Sequence, residues 1–168
     1  MDAIFHRRSI RKYVNEAVSD EKIHKILLAG MSAPNAFATY EWNFLVIKSA
    51  EGKKKMLEAQ PWAKSSENAD TLILVCGDSS KEKNEMLLVQ NCSAAMENML
   101  IEATYLDLGS LWLGVYGSDE IVRDIRKAYN VPKHLIPIGV VVIGQTVQDR
   151  KPHDQFYKDQ VHVESFKK

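Results

Sequence analysis

Apolar and polar positions along the chain change period several times, and each change marks a predicted element. Ser19-Asp20-Glu21 opens a helix, and Ile23, Ile26, Leu27 and Gly30 follow at i, i+3, i+4 and i+7, so an amphipathic helix is expected to end near Met31. Pro34 blocks its simple continuation. Residues 43–48 (NFLVIK) and 71–76 (TLILVC) are short runs of β-formers and predict strands, with a lysine-rich helical stretch over 49–60 between them. From 82 to 108 there is neither proline nor glycine. Leu88, Cys92, Ala95, Met99, Glu102 and Leu106 fall three or four apart there, which predicts a long central helix with one largely apolar stripe, closed by Gly109 as its C-cap. A strand over 111–116 (LWLGVY), a helix from Ser118 to about Ala128 and a last apolar strand over 136–143 complete the pattern. Beyond Gly144 the chain turns polar, too long for a fraying end and too poor in apolar residues for a core of its own, so it is expected to lie on something.

Strands and helices interleave, yet no strand leads into the glycine-rich turn of a dinucleotide-binding unit, and no GxxxxGK[ST] phosphate loop is present. An α+β domain with a sheet packed around one long helix fits better, and residues 1–168 read as one domain without internal repeats or a flexible linker. Of 168 residues 45% are hydrophobic and 26% charged, which excludes a disordered chain. Twenty-two basic residues balance twenty-two acidic ones, so no global field draws nucleic acid or an anionic membrane, and any anion site must be a local cluster. Two cysteines, Cys76 and Cys92, each in an apolar stretch, fit free thiols in a reducing compartment, with the cytoplasm as default. Neither a secretory leader nor an apolar run of about 20 residues is seen.

One such local cluster is Arg7-Arg8-Ser9-Ile10-Arg11-Lys12. Guanidinium forks take phosphate oxygens in pairs and a serine hydroxyl donates to another, so the run suits a phosphorylated small ligand; the same run also suits a solvated basic face. Arg150-Lys151, after the last strand, either converges on the same phosphate or solubilises the tail. Residues 32–42 (SAPNAFATYEW) form a loop of small residues that lets backbone approach a flat ligand, with Trp42 expected in the core. Gly109 and Gly114 bracket a strand start where main-chain amides either face a ligand or mark a cap and a strand irregularity. His6, His24, His134, His153 and His162 have no close metal spacing, and there is no GxSxG, so a metal site is not expected and a bound cofactor is left to supply any reactivity.

Taken in order, HRRSIRKY (6–13), SAPNAFATYEWNFLVI (32–47), NCSAAMENMLIEATYLDLGSLWLG (91–114) and GQTVQDRKP (144–152) resemble the signature segments of the nitroreductase family of FMN-dependent NAD(P)H oxidoreductases, in its short form. The resemblance spans nearly the whole chain. It implies a central mixed, mostly antiparallel sheet surrounded by helices, and a homodimer with a domain-exchanged tail, residues 145–168 packing on the partner. Arg7, Arg8, Ser9 and Arg11 would hold the phosphate, the ribityl chain and the O2/N1 side of FMN, joined by Arg150 and Lys151 at the phosphate. Pro34, Asn35, Ala36 and Ala38 would cover the flavin from the second subunit, while Leu111, Trp112, Leu113 and Gly114 lie along its other side. Flavin N5 would carry the chemistry, so no catalytic side chain is assigned, and Phe37 and Tyr40 either stack on an aromatic substrate or serve in packing. The implied reaction is ping-pong hydride transfer from NAD(P)H to an acceptor such as a nitroaromatic or quinone. A flavin storage or sensor protein, or a reductive dehalogenase-like or flavin-processing relative, are the alternatives. Ala38, Tyr40 and Glu41 stand where the family carries Asn, Gln and Pro, and Asn91 where an aspartate often starts the central helix.

Overall fold

A computed structural model describes residues 2–149, 151–153 and 155–166. Its four strands, β1 (Trp42–Ile47), β2 (Thr71–Asp78), β3 (Gly109–Gly114) and β4 (Leu135–Gly144), form one sheet in the order β1-β2-β4-β3. All three pairings are antiparallel. The parallel component is a bridge between Ser9 and Ser110, which lays the amino-terminal segment along the outer edge of β3.

Five helices, α1 (Ala3–His6), α2 (Asp20–Met31), α3 (Ala50–Ala59), α4 (Glu85–Tyr105) and α5 (Asp119–Tyr129), cover the sheet. β2 is buried along its whole length because it is sandwiched: Ile73 and Val75 pack with α2 and α4, while Leu72, Leu74 and Cys76 pack toward α3 and α5. The period-2 alternation thus divides one apolar run between two cores. Ser19, Ser49 and Ser118 cap α2, α3 and α5 with their side-chain oxygens, as the sequence pattern leads one to expect for the first and last.

Three expectations shift. α4 starts at Glu85, not near 82, because Asn84 accepts from the Met86 and Leu87 amides and fixes the first turn. It ends through Asp107 in the left-handed region (φ 61°), with the Leu108 amide donating back to the Ala103 carbonyl; Gly109 is not its cap. Gly109 instead opens β3, two residues earlier than the apolar pattern indicates, and a Cβ there would sit 2.9 Å from Ile10 Cγ2. It is glycine because the amino-terminal segment passes against it. The single stripe expected on α4 is also too narrow, since the helix lies between sheet and α2 and buries Asn91, Met96, Leu100, Ala103 and Thr104 as well. Pro137 in the interior strand β4 is accommodated where the register with β2 shifts between Val75 and Cys76. Among the described residues no helix is long and apolar enough to cross a membrane.

Candidate functional site

Residues 5–14 and 145–153 meet beside β3. The Ile10 amide donates to the Ser110 carbonyl (2.8 Å), Val14 to Gln145 (3.0 Å) and His153 to Phe5 (2.8 Å), while the Thr146 hydroxyl donates to the Lys12 carbonyl (2.8 Å). Ile10 and Tyr13 point inward and are buried, the Tyr13 hydroxyl donating to the Ile10 carbonyl (2.8 Å), and burial pushes that phenol well above its ordinary pKa. Inward anchoring of these two leaves the cations between and beside them outward.

Arg7, Arg8, Ser9, Arg11 and Lys151 accordingly line one cavity of about 570 Å³, together with Gln148, Asp149 and His153. Arg150 lies outside the described residues. The arginines are not equivalent. Arg7 Nε pairs with Glu97 on α4 at 3.2 Å. Arg8 donates to the carbonyls of Phe5 (3.1 Å), Arg7 (2.7 Å) and Lys151, so it ties the two chain ends together. Arg11 is exposed, with one contact to the Ser9 carbonyl at 3.3 Å. A second cavity of about 420 Å³ is lined by Arg11, Trp62, Ser65 and Leu111, Trp112, Leu113 and Gly114. Arg11 thus belongs to both, and the basic and the largely apolar cavity adjoin across its side chain. At Gly114 an added Cβ would meet nothing within 4 Å, so the strand end leaves open space beside its backbone. A phosphate-bearing ligand with a flat apolar ring system fits this donor set and floor. Among the described residues no group of three His, Cys, Asp or Glu could hold a metal ion.

The other expected site residues, Pro34, Asn35, Ala36, Phe37, Ala38 and Tyr40, line neither cavity. Their loop has its own organisation. Phe37, Ala38 and Tyr40 all have positive φ (60°, 53° and 48°), a costly conformation for residues with a Cβ. Glu41, fully buried at 0% exposure, holds it: Asn35 Nδ2 and the Thr39 hydroxyl donate to Oε2 and Asn91 Nδ2 to Oε1, all at 2.7 Å. Burial alone raises a carboxyl pKa, but here these donors outweigh it and hold Glu41 below the usual range. Each amide then turns its oxygen to the loop backbone, Asn91 Oδ1 accepting from Ala36 N (3.2 Å) and Asn35 Oδ1 from Tyr40 N (3.1 Å). Phe37 is left 85% exposed and Tyr40 meets the buried Trp42 edge-on. Cys76 and Cys92 are free thiols, as expected, and burial pushes both up to about 12.

Sequence reasoning missed Trp62, Ser65 and Glu97. An isolated tryptophan in the polar stretch after Pro61 was the available signal for Trp62; nothing in the pattern pairs Glu97 with Arg7 across 90 positions.

The nitroreductase family model matches residues 4–78 and 62–145. A protein of Methanothermobacter thermautotrophicus, provisionally named NADH dehydrogenase/NAD(P)H nitroreductase, is 39% identical over 166 residues, 99% of this chain and 87% of that one. Among solved structures, a provisionally named NADH oxidase of Clostridium acetobutylicum superposes with TM-score 0.93 at 35% identity, over 98% of this chain and 99% of that chain. A provisionally assigned nitroreductase of Desulfovibrio desulfuricans in complex with FMN gives TM-score 0.83 at 31% identity, over 98% and 96%.

Proposed function

The chain belongs to the nitroreductase family of oxidoreductases, and on that premise we propose that it is a homodimeric, FMN-dependent enzyme that carries reducing equivalents from NAD(P)H to an acceptor such as a nitroaromatic or a quinone. The position of Arg11 at the junction of the basic and the apolar cavity carries this reading. When bound, FMN supplies hydride acceptance and donation at N5.

The chain's own residues bind and orient. Ser9, Arg11, Lys151 and the remaining donors of Arg7 grip the phosphate end, while Arg8, engaged with three carbonyls, keeps that grip assembled. Leu111 to Gly114 floor the ring end, where the missing Gly114 side chain admits a flat group close to the strand. Arg11 places a fixed positive charge at the junction, which favours the more negative, reduced state of a ligand beside it. Pro34, Asn35, Ala36 and Ala38 then cover the ring across the dimer interface, with Phe37 and Tyr40 facing the acceptor. Their outward aromatics support that arrangement, as does the tail, where Phe156, Val163 and Phe166 are exposed and, within one chain, left without a core. Both cores share one sheet, which supports a single domain over 1–168; of the segment 145–168, residues 145–153 pair with the amino-terminal segment of their own chain, which leaves the stretch over 155–166 to reach the partner.

Purified protein should be yellow and retain FMN, and anaerobic NADH or NADPH should bleach it, with colour returning on addition of a quinone. A flavin-loaded protein that resists both donors would refute the oxidoreductase cycle. Arg11→Ala should lower the flavin retained after gel filtration about tenfold, as expected for losing one charge-assisted contact; unchanged content would remove Arg11 from the grip.

A further inference from the structure

α3 stops at Ala59, and the chain turns at once into a 3-10 helix, Pro61–Ser66, that carries Trp62 to the second cavity. That turn is unusually well anchored. Gln60 has no exposed surface, and both ends of its amide are engaged: Oε1 accepts from the Trp62 backbone N–H at 2.8 Å and Nε2 donates to the Gly114 carbonyl at 2.5 Å. Ala63 is fully buried, its amide donating to the Gln60 carbonyl at 2.9 Å, and the Ser66 hydroxyl closes the turn on the Ala63 carbonyl. Pro61 fixes the first backbone angle. From this rigid base the Trp62 side chain stands 73% exposed, sharing a cavity with Arg11 and Trp112.

A lone exposed aromatic is ordinary on a protein surface. A buried amide spending both of its hydrogen-bonding ends to tie the backbone of such a residue to the end of β3, beside a cavity, is not, since every unmade bond of a buried amide is costly. We propose that Trp62 is a specificity-determining residue that offers its indole face to a planar aromatic acceptor, and that Gln60 is its positioning residue, locking the turn to the end of β3. The proposal rests on the oxidoreductase reading above and adds to it the side chain that selects flat, electron-poor rings. Indole is the most electron-rich of the protein side-chain faces, and an electron-poor ring in offset stacking is its natural partner.

Nitrobenzene titrated into the oxidised, FMN-loaded protein, followed by the flavin absorption band, measures this without turnover. Read on the FMN-loaded form of each variant, Trp62→Ala should raise its Kd about 3- to 10-fold, the size of one aromatic pair, and Trp62→Phe should recover most of the loss. Steady-state rates should show the same rise in KM for nitrobenzene, and a smaller one for ferricyanide, which offers no ring; an equal rise for both acceptors overturns the proposal. Gln60→Glu keeps the acceptor for Trp62 N–H but loses the donor to Gly114, so it should weaken nitrobenzene at neutral pH and regain affinity as the pH falls and the new carboxyl protonates. Wild-type affinity in FMN-loaded Trp62→Ala overturns it as well. A wild-type protein that holds no FMN refutes the underlying reading instead, so the two failures are distinguishable.

Discussion

Glu41 shows how one side chain can carry a loop. Its carboxylate accepts from both Asn35 and Asn91, and those amides in turn hold the Ala36 and Tyr40 backbone, so the charge dictates the orientation of each amide. Glutamine at this position has one acceptor oxygen instead of two, and its own N–H groups would face a donor. Glu41→Gln is therefore expected to destabilise by about 2 kcal/mol at pH 7, the range for a hydrogen bond to a charged group, measured by urea unfolding. The pH dependence has a definite sign. The folded pKa is depressed, so the stabilisation is complete above the ordinary glutamate value and disappears as pH falls through the folded one. The gap between wild type and Glu41→Gln should thus narrow in acid; a constant gap would mean that the charge is not what matters. At this scale the sequence was legible where chemistry concentrates: Arg7, Arg8, Ser9, Arg11 and Lys151 do share one cavity. It could not rank them, because Glu97 and the carbonyls that occupy Arg7 and Arg8 are brought there only by folding.

Elements were legible where periodicity and caps agree, as for α2 and α5, and displaced where a single residue type carried the inference. Glycine commonly ends helices, yet at the end of α4 the left-handed position is taken by Asp107, and Gly109 answers to the close passage of Ile10. The small 3-10 turns were invisible for a different reason, since three to six residues leave no period to detect. Of these, the loop around Ala36–Ala38 stores the most strain. Ala38→Gly removes the Cβ that its φ of 53° disfavours and should stabilise the protein by about 1 kcal/mol, seen as a higher urea midpoint. No gain would mean that the surrounding contacts, not the backbone, set the cost.

Among the described residues, exposed apolar groups recur on α2, on β1 and in single positions elsewhere, and three sets of them lie in α1, the loop and the tail: Ile4 and Phe5, Phe37 and Tyr40, Phe156, Val163 and Phe166. A homodimer accounts for all three at once, and a chain shortened to residue 153 is expected to sediment as a monomer and to lose affinity for FMN. A shortened chain that remained dimeric would assign the interface elsewhere. The strands and main helices could be read from the sequence because their apolar periods and caps mark them, but the division into two cores and whatever covers the outward groups could not, since docking against another surface leaves no mark on the period. The pairing of residues 5–14 with residues 145–153 also bears on biosynthesis. The arginine cluster is translated well before the segment over 145–153 that completes its cavity, so a chain arrested ahead of that segment is expected to hold no coenzyme, and colour in a cell extract then reports only polypeptides whose translation has run through both halves of that seam.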